Sequence, residues 1–90
     1  MLDTTHPYEA RVRQTLADHA RLPVDVATLQ VYDDLFQSGM TSHNSVNVML
    51  ALEEEFDIEF PEEMLQKSTF ESIEAICTSI STLTLSGDRP

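Results

Sequence analysis

The sequence has few basic residues, few glycines and a single cysteine. Only 5 of its 90 residues are Lys or Arg, against 16 Asp and Glu, so the formal net charge is −11. A surface this acidic repels phosphate backbones and anionic membranes, which argues against nucleic-acid binding and against membrane binding. One cysteine excludes an internal disulfide framework and fits a reducing compartment. The N-terminal residues resemble no signal peptide, and no apolar run approaches the length needed to span a membrane.

Length and composition predict one small helical domain. Ninety residues leave room for a single core, and a hydrophobic content of 41% is ordinary for a folded chain. Two glycines and no alternating strand pattern favour helices over strands. We expect a cytoplasmic, soluble monomer with one domain over residues 1–90, ordered over about residues 5–83 and followed by a flexible tail at 84–90.

Apolar spacing predicts three longer helices and one short one. The first helix is predicted to begin near Thr5 or His6 and to stop at Leu22 and Pro23, because the residue before a proline is pushed out of the helical region. Its inner stripe consists of Tyr8, Val12 and Leu16.

The second helix is predicted to begin at Thr41 or Ser42, with Thr41 capping its free N–H groups. It follows a long irregular connection from residue 24 to residue 40, which must be held down by apolar side chains. Three glutamates close the helix, where carboxylates oppose the helix dipole, so we expect them not to serve local stability. The predicted buried face is Val46, Met49, Leu52 and Phe56, with Val48 and Leu50 beside it.

The remaining residues predict a short helix and then a last helix. The segment "PEEMLQK" begins with Pro61, which suits a first helical turn. Ser68 and Glu71 have the spacing of a capping box for the last helix. The predicted inner stripe of that helix is Phe70, Ile73, Ile76, Cys77 and Ile80.

Catalytic arrangements are poorly supported by the residues. Ser42 and His43 are adjacent, and neighbours on a helix point about 100° apart, so they cannot pair as nucleophile and base without distortion. The three histidines are scattered without metal-ligand spacing. Cys77 recurs with apolar residues and is expected to be a small core residue. We therefore expect neither an enzyme nor a metal site.

Hydroxyl side chains are crowded at the start of the second helix, where Thr41, Ser42 and Ser45 lie. A helix N-terminus offers unpaired N–H donors and the positive end of the dipole, which suit a phosphate ester. The same residue types are also the commonest helix caps. The residues alone leave both interpretations open. They also leave open whether the acidic surface attracts basic partners or only maintains solubility.

Three segments together resemble a known family. They are "DDLFQSG" at residues 33–39, "GMTSHNSV" at residues 39–46 and "ALEEEFDIEFP" at residues 51–61. The chain resembles the phosphopantetheine-carrying acyl and peptidyl carrier proteins over roughly residues 8–83. The resemblance implies an all-α, four-helix acyl-carrier-protein-like bundle with a long loop between helices 1 and 2.

The same resemblance implies that Ser42 carries a covalent 4′-phosphopantetheine. A separate phosphopantetheinyl transferase would attach this group, and its thiol would hold cargo as a thioester. An acyl- or aminoacyl-loading ligase would supply the cargo, and acyl-accepting enzymes would receive it. Two positions depart from the family: Thr41 replaces the usual Asp before the serine, and His43 replaces the usual Leu or Met after it. The peptidyl-carrier-like lead-in "DDLFQSG" and the altered serine motif together slightly favour an amino acid or small acid as cargo over a long fatty chain.

The resemblance also implies a surface for partner enzymes. Residues 43, 47, 50 and 54 line one helical face, with Leu50 as an apolar anchor inside an acidic rim. The alternative is an unmodified acidic helical adaptor, or a vestigial carrier, that binds a basic protein through this face. The predicted partner-binding positions are Gly39, Met40, Thr41, His43, Asn47, Leu50, Glu53 and Glu54.

Overall fold

The computed structural model describes residues 8–87, and its side chains as far as Thr84. The described part contains three α-helices and no β-strand, which confirms the predicted all-helical class. No helix in it is long and apolar enough to cross a membrane. The helices are α1 (Glu9–His19), α2 (Ser42–Phe56) and α3 (Ile73–Gly87), and 3-10 turns cover Val26–Thr28, Glu62–Met64 and Lys67–Phe70.

The helix ends follow local backbone geometry. The predicted start of the first helix at Thr5 or His6 lies outside the described residues. Helix α1 ends at His19, before the predicted proline stop, because Arg21 adopts a left-handed conformation with φ of 56°. Helix α2 begins at Ser42, as predicted. The predicted tail from residue 84 is helical as far as Gly87, and the remainder of it lies outside the described residues.

Of two local predictions between α2 and α3, one is not confirmed and one is wrong. The predicted short helix at "PEEMLQK" is not confirmed as such: the segment forms the 3-10 turn Glu62–Met64, because a segment with room for about one turn closes i→i+3 bonds more readily. Ser68 and Glu71 do not cap α3; instead, the Ser72 hydroxyl accepts the N–H of Ala75 at 3.0 Å. The carbonyl of Glu71 is already occupied by the N–H of Leu35 at 2.7 Å, so the helix starts after it.

The core draws on all three helices and on the connection between α1 and α2. The predicted stripes of the first and last helices are confirmed as buried, apart from Tyr8, which is half-buried. In α2 the prediction was partly wrong, since Val48 and Leu52 are buried whereas Val46 is 50% exposed. Val46 lies about 120° from Leu52 around the helix axis, against about 40° for Val48. The largest fully buried side chains are Val12, Leu16, Leu35, Val48, Leu52, Ile73, Ile76, Cys77 and Ile80.

Helices α1 and α2 run antiparallel. Arg11 at the start of α1 pairs with Glu55 at the end of α2, with 2.8 Å between Nε and Oε2, and its guanidinium lies 4.4 Å above the Phe56 ring. At the other end, Pro23 after α1 packs against Gly39 before α2. The start of α1 therefore lies beside the end of α2, and the end of α1 lies beside the start of α2.

Two of the three glutamates that close α2 have structural partners, so the expectation that none serves local stability is wrong. Glu55 forms the ion pair with Arg11. Glu53 accepts the backbone N–H of Phe60 through Oε2 at 2.8 Å and holds the chain as it leaves the helix. Glu54 is exposed and forms no hydrogen bond or ion pair within the described part of the chain.

The long connection is held by hydrogen bonds to α1 and to the start of α3. Nη1 of Arg13 donates to the carbonyls of Val26 and Leu29, each at 2.8 Å, and its Nε donates to Oε2 of Glu9 at 2.8 Å. Further along, the carbonyl of Val31 accepts the N–H of Glu74 at 2.9 Å. The connection therefore has a defined path although it contains only one 3-10 turn.

Replacing Arg13 tests how much this anchoring contributes. We expect Arg13→Ala to lower the free energy of unfolding by about 2–3 kcal/mol, because the partly buried carbonyls of Val26 and Leu29 lose a charged donor, and the Val26 carbonyl keeps only the N–H of Leu29. Arg21→Ala is the matched control, since Arg21 is exposed and forms no ion pair among the described residues. Urea unfolding followed by circular dichroism measures both. Equal stability of the two variants would contradict the anchoring role.

Candidate functional site

The three hydroxyls at the start of α2 have different roles. Thr41 is the N-cap, with extended backbone (φ −89°, ψ 164°), and its Oγ1 accepts the N–H of Asn44 at 3.0 Å. Ser45 donates its hydroxyl to the carbonyl of Ser42 at 2.7 Å. Ser42 is exposed, and its own hydroxyl has no partner among the residues described. One hydroxyl of the three is therefore free.

The backbone around Ser42 is suited to negative charge. The N–H groups of Ser42 and His43 begin the helix and have no acceptor in the described part of the chain. The first turn of α2 contains no acidic residue, so nothing there neutralises the positive end of the dipole. A phosphate ester on Ser42 would lie beside unpaired donors, so the residues present fit such a group.

The segment before Ser42 is held by close packing. Gly39 has φ of 121°, and a Cβ at this position would lie 2.5 Å from Cδ and 2.9 Å from Cγ of Pro23. Met40 is only 3% exposed, and its N–H donates to the carbonyl of Leu35 at 3.0 Å. Met40 was predicted to contact partners, but the structure places it in the core.

The other predicted partner positions fall into three groups. His43, Asn47, Leu50 and Glu54 are exposed, and the last three line a groove between α2 and α1. Glu53 is half-buried and bonded to Phe60, so it does not share their environment. Gly39 and Thr41 are exposed at the start of the helix.

Sequence reasoning missed the opposite wall of this groove. Gln14, His19 and Arg21 line it from the side of α1. Their polarity could have marked them as a surface, but only the packing of α1 on α2 shows which residues they face.

Cys77 is not available for chemistry. Its side chain is fully buried, and burial raises the pKa of the thiol to about 12, with Glu9 and Glu74 adding to the effect. The thiol is therefore protonated and unreactive in the folded protein at neutral pH. In the described part of the chain, no group of three or more His, Cys, Asp or Glu side chains could hold a metal ion.

The fold and the site define a class: small helical proteins that present one free serine hydroxyl at the positive end of a helix. A family model described as a phosphopantetheine attachment site matches residues 10–80. An aminoacyl carrier protein from Agrobacterium fabrum (strain C58) is 45% identical over 67 residues, which is 74% of this chain and 81% of that protein. The chain belongs to the phosphopantetheine-dependent carrier protein family, whose members carry a covalent 4′-phosphopantetheine and are not themselves enzymes.

Solved structures agree with this assignment. The chain is similar to a carrier protein from Agrobacterium tumefaciens in complex with an engineered Bradyrhizobium japonicum glycine:[carrier protein] ligase and ATP. The TM-score is 0.81 at 40% identity, over 83% of this chain and 97% of that one. The corresponding AMP complex gives a TM-score of 0.80 at 41% identity, over 81% and 97%. A solution structure from Agrobacterium tumefaciens gives 0.69 at 40% identity, over 88% and 94%.

The contact between Gly39 and Pro23 predicts that a methyl group is not tolerated before the site. We expect Gly39→Ala to lower the free energy of unfolding by about 1–3 kcal/mol, since the new Cβ meets the proline ring and the positive φ is strained. Adding Pro23→Ala to this variant should restore the part of the lost stability that comes from overlap between the new Cβ and the proline ring. Pro23→Ala alone is the control. Chemical denaturation of the three variants measures this. A Gly39→Ala protein as stable as the original would contradict it.

Proposed function

We propose that Ser42 bears 4′-phosphopantetheine as a phosphate ester on its Oγ, and that the chain carries a thioester-bound acyl or aminoacyl group between enzymes. The observation that supports this most directly is the free hydroxyl of Ser42 among neighbours whose hydroxyls are engaged. We also propose that the fold is the family's four-helix bundle, with its short helix reduced here to 3-10 turns.

The chain's own residues would orient and stabilise the ester. Thr41 fixes the first turn through its bond to Asn44, and the packing of Gly39 fixes the approach to it. During modification Ser42 Oγ would lose its proton and bond to phosphorus, while coenzyme A would release its nucleotide portion. The N–H groups of Ser42 and His43 would then donate to the phosphate oxygens. The attached arm supplies a thiol for the cargo.

The departures from the family motif affect recognition rather than folding. Thr41 retains the capping role, so an aspartate is not needed to start the helix. His43 is exposed and places a polar ring where relatives of this kind have an apolar side chain. We infer that a transferase and partners adapted to this polar ring modify and use the protein.

The structural neighbours favour an amino acid or small acid as cargo. Two of them are carrier proteins in complex with a glycine:[carrier protein] ligase, and the curated relative is an aminoacyl carrier protein. We propose that an aminoacyl ligase of this type loads the chain and that acyl-accepting enzymes unload it.

Intact mass spectrometry after incubation with coenzyme A and a broad-specificity phosphopantetheinyl transferase tests the attachment site. We expect the original chain and Ser45→Ala to gain one phosphopantetheine, and Ser42→Ala to gain none. The modified chain should also show one thiol that reacts at pH 8, because Cys77 is buried. A gain that persists in Ser42→Ala would place the arm elsewhere, and no gain in any form would favour an unmodified adaptor.

The exposed face of α2 is proposed to contact the loading ligase through Leu50 and Glu54. We expect Glu54→Lys to slow association with the Bradyrhizobium japonicum glycine:[carrier protein] ligase by about three- to tenfold at low salt, and to flatten its salt dependence. Glu71→Lys makes the same charge change outside α2 and should have a smaller effect. Stopped-flow association at several salt concentrations measures both. Equal slowing of association by Glu54→Lys and Glu71→Lys would show that the association rate depends on net charge and not on where the charge lies.

A further inference from the structure

A polar groove runs between α1 and α2, and the side chains that matter for its chemistry come from both helices. We call it the α1–α2 groove. The relevant lining residues are Gln14, Asp18 and His19 from α1, Arg21 just after α1, and Asn47, Leu50 and Glu54 from α2.

The groove has a near end and a far end with respect to Ser42. Because the helices are antiparallel, Arg21, just after α1, belongs to the end beside the start of α2. Glu54 lies 12 residues beyond Ser42 on α2, which is about 18 Å along the helix axis. On α2 the lining begins at Asn47, five residues beyond Ser42 or about 7–8 Å along the axis, and runs toward the end of the helix.

The two ends differ in the charged group that has no partner. At the near end, the guanidinium of Arg21 is exposed and has no ion pair among the described residues. The carboxylate of Asp18 also lines the groove there, and it accepts the side-chain amide N–H of Gln14 at 3.2 Å. At the far end, the charge of Arg11 is matched by Glu55 at 2.8 Å, which leaves the carboxylate of Glu54 unmatched. Between the ends lie the 53% exposed side chain of Leu50 and the amide side chains of Gln14 and Asn47.

We propose that the α1–α2 groove is the resting site of this chain's own aminoacyl-loaded arm, with the phosphate end toward Arg21 and the cargo ammonium at Glu54. This inference rests on the proposed attachment to Ser42. An extended phosphopantetheine arm with a glycyl group spans on the order of 20 Å, which matches the distance to Glu54. The amino group of the cargo is protonated at neutral pH and complements a carboxylate. A neutral acyl group of the same size has no charge that could pair with the carboxylate of Glu54.

NMR chemical shifts of verified, isotope-labelled holo-protein test the groove. Two cargoes of equal size are compared: glycyl, which carries the ammonium, and propionyl, which does not, each joined to the arm by an amide to prevent hydrolysis. We expect glycyl to shift the amide signals of Gln14, Asn47 and Glu54 at least twofold more than propionyl. In Glu54→Gln this difference should fall by more than half, whereas the matched variant Glu71→Gln should retain it.

Several outcomes would overturn the proposal. One is a set of arm-induced shifts confined to the residues around Ser42. Another is an equal response to glycyl and propionyl, or a difference that survives Glu54→Gln. Shifts centred on α3 would place the arm in a different groove. Failure of the attachment itself would appear earlier, as an absent mass gain, so it is distinguishable from failure of the groove.

Discussion

The position of Ser42 depends on how the long connection is held against α1, and Arg13 makes the central contact. Its guanidinium donates to the carbonyls of Val26 and Leu29 at 2.8 Å each. The Val26 carbonyl also accepts the N–H of Leu29 at 3.1 Å, so one charged donor holds both ends of the 3-10 turn. A hydrogen bond to a charged group contributes about 1.5–3 kcal/mol, and because the Val26 carbonyl keeps the N–H of Leu29 when Arg13 is removed, the expected loss is close to that of one such bond. With the connection fixed at this point, Pro23 meets Gly39, and the start of α2 is placed two residues after the buried Met40.

Most of the few basic residues are engaged by other residues of the chain, which leaves the surface of the described part with a large excess of unpaired acidic groups. Arg11 and Arg13 are committed to Glu55 and Glu9, and the ammonium of Lys67 lies 4.9 Å above the Phe36 ring. Among the described residues, Arg21 is the basic side chain without such a contact. The exposed face of α2 therefore presents the unmatched carboxylate of Glu54, whereas the end of α1 brings Arg21 beside the start of α2. The acidic surface as a whole favours fast encounter with basic partners.

Apolar spacing and cap chemistry predicted the three helices and the cap at Thr41, because both depend on residues close in sequence. The errors arose where contacts between residues distant in sequence determine a helix start or the choice of buried side chain. The bond from Leu35 to Glu71 moved the start of α3 beyond Ser68, and the packing of α1 selected Val48 rather than Val46 for the core. The α1 wall of the groove was missed for the same reason. At the site itself, the free hydroxyl of one residue among three could be recognised only from side-chain hydrogen bonds.

A resting site for cargo on a carrier has to be weak. An exposed ion pair such as an ammonium with Glu54 contributes about 0.2–1 kcal/mol, which changes a population by no more than roughly fivefold. The arm would therefore divide its time between the groove and solvent, and the cargo would remain accessible to enzymes. Leu50 and Glu54 belong both to the groove and to the proposed partner face. An enzyme that docks on that face would cover the same side chains and displace the cargo, so docking and release of the arm would be one event.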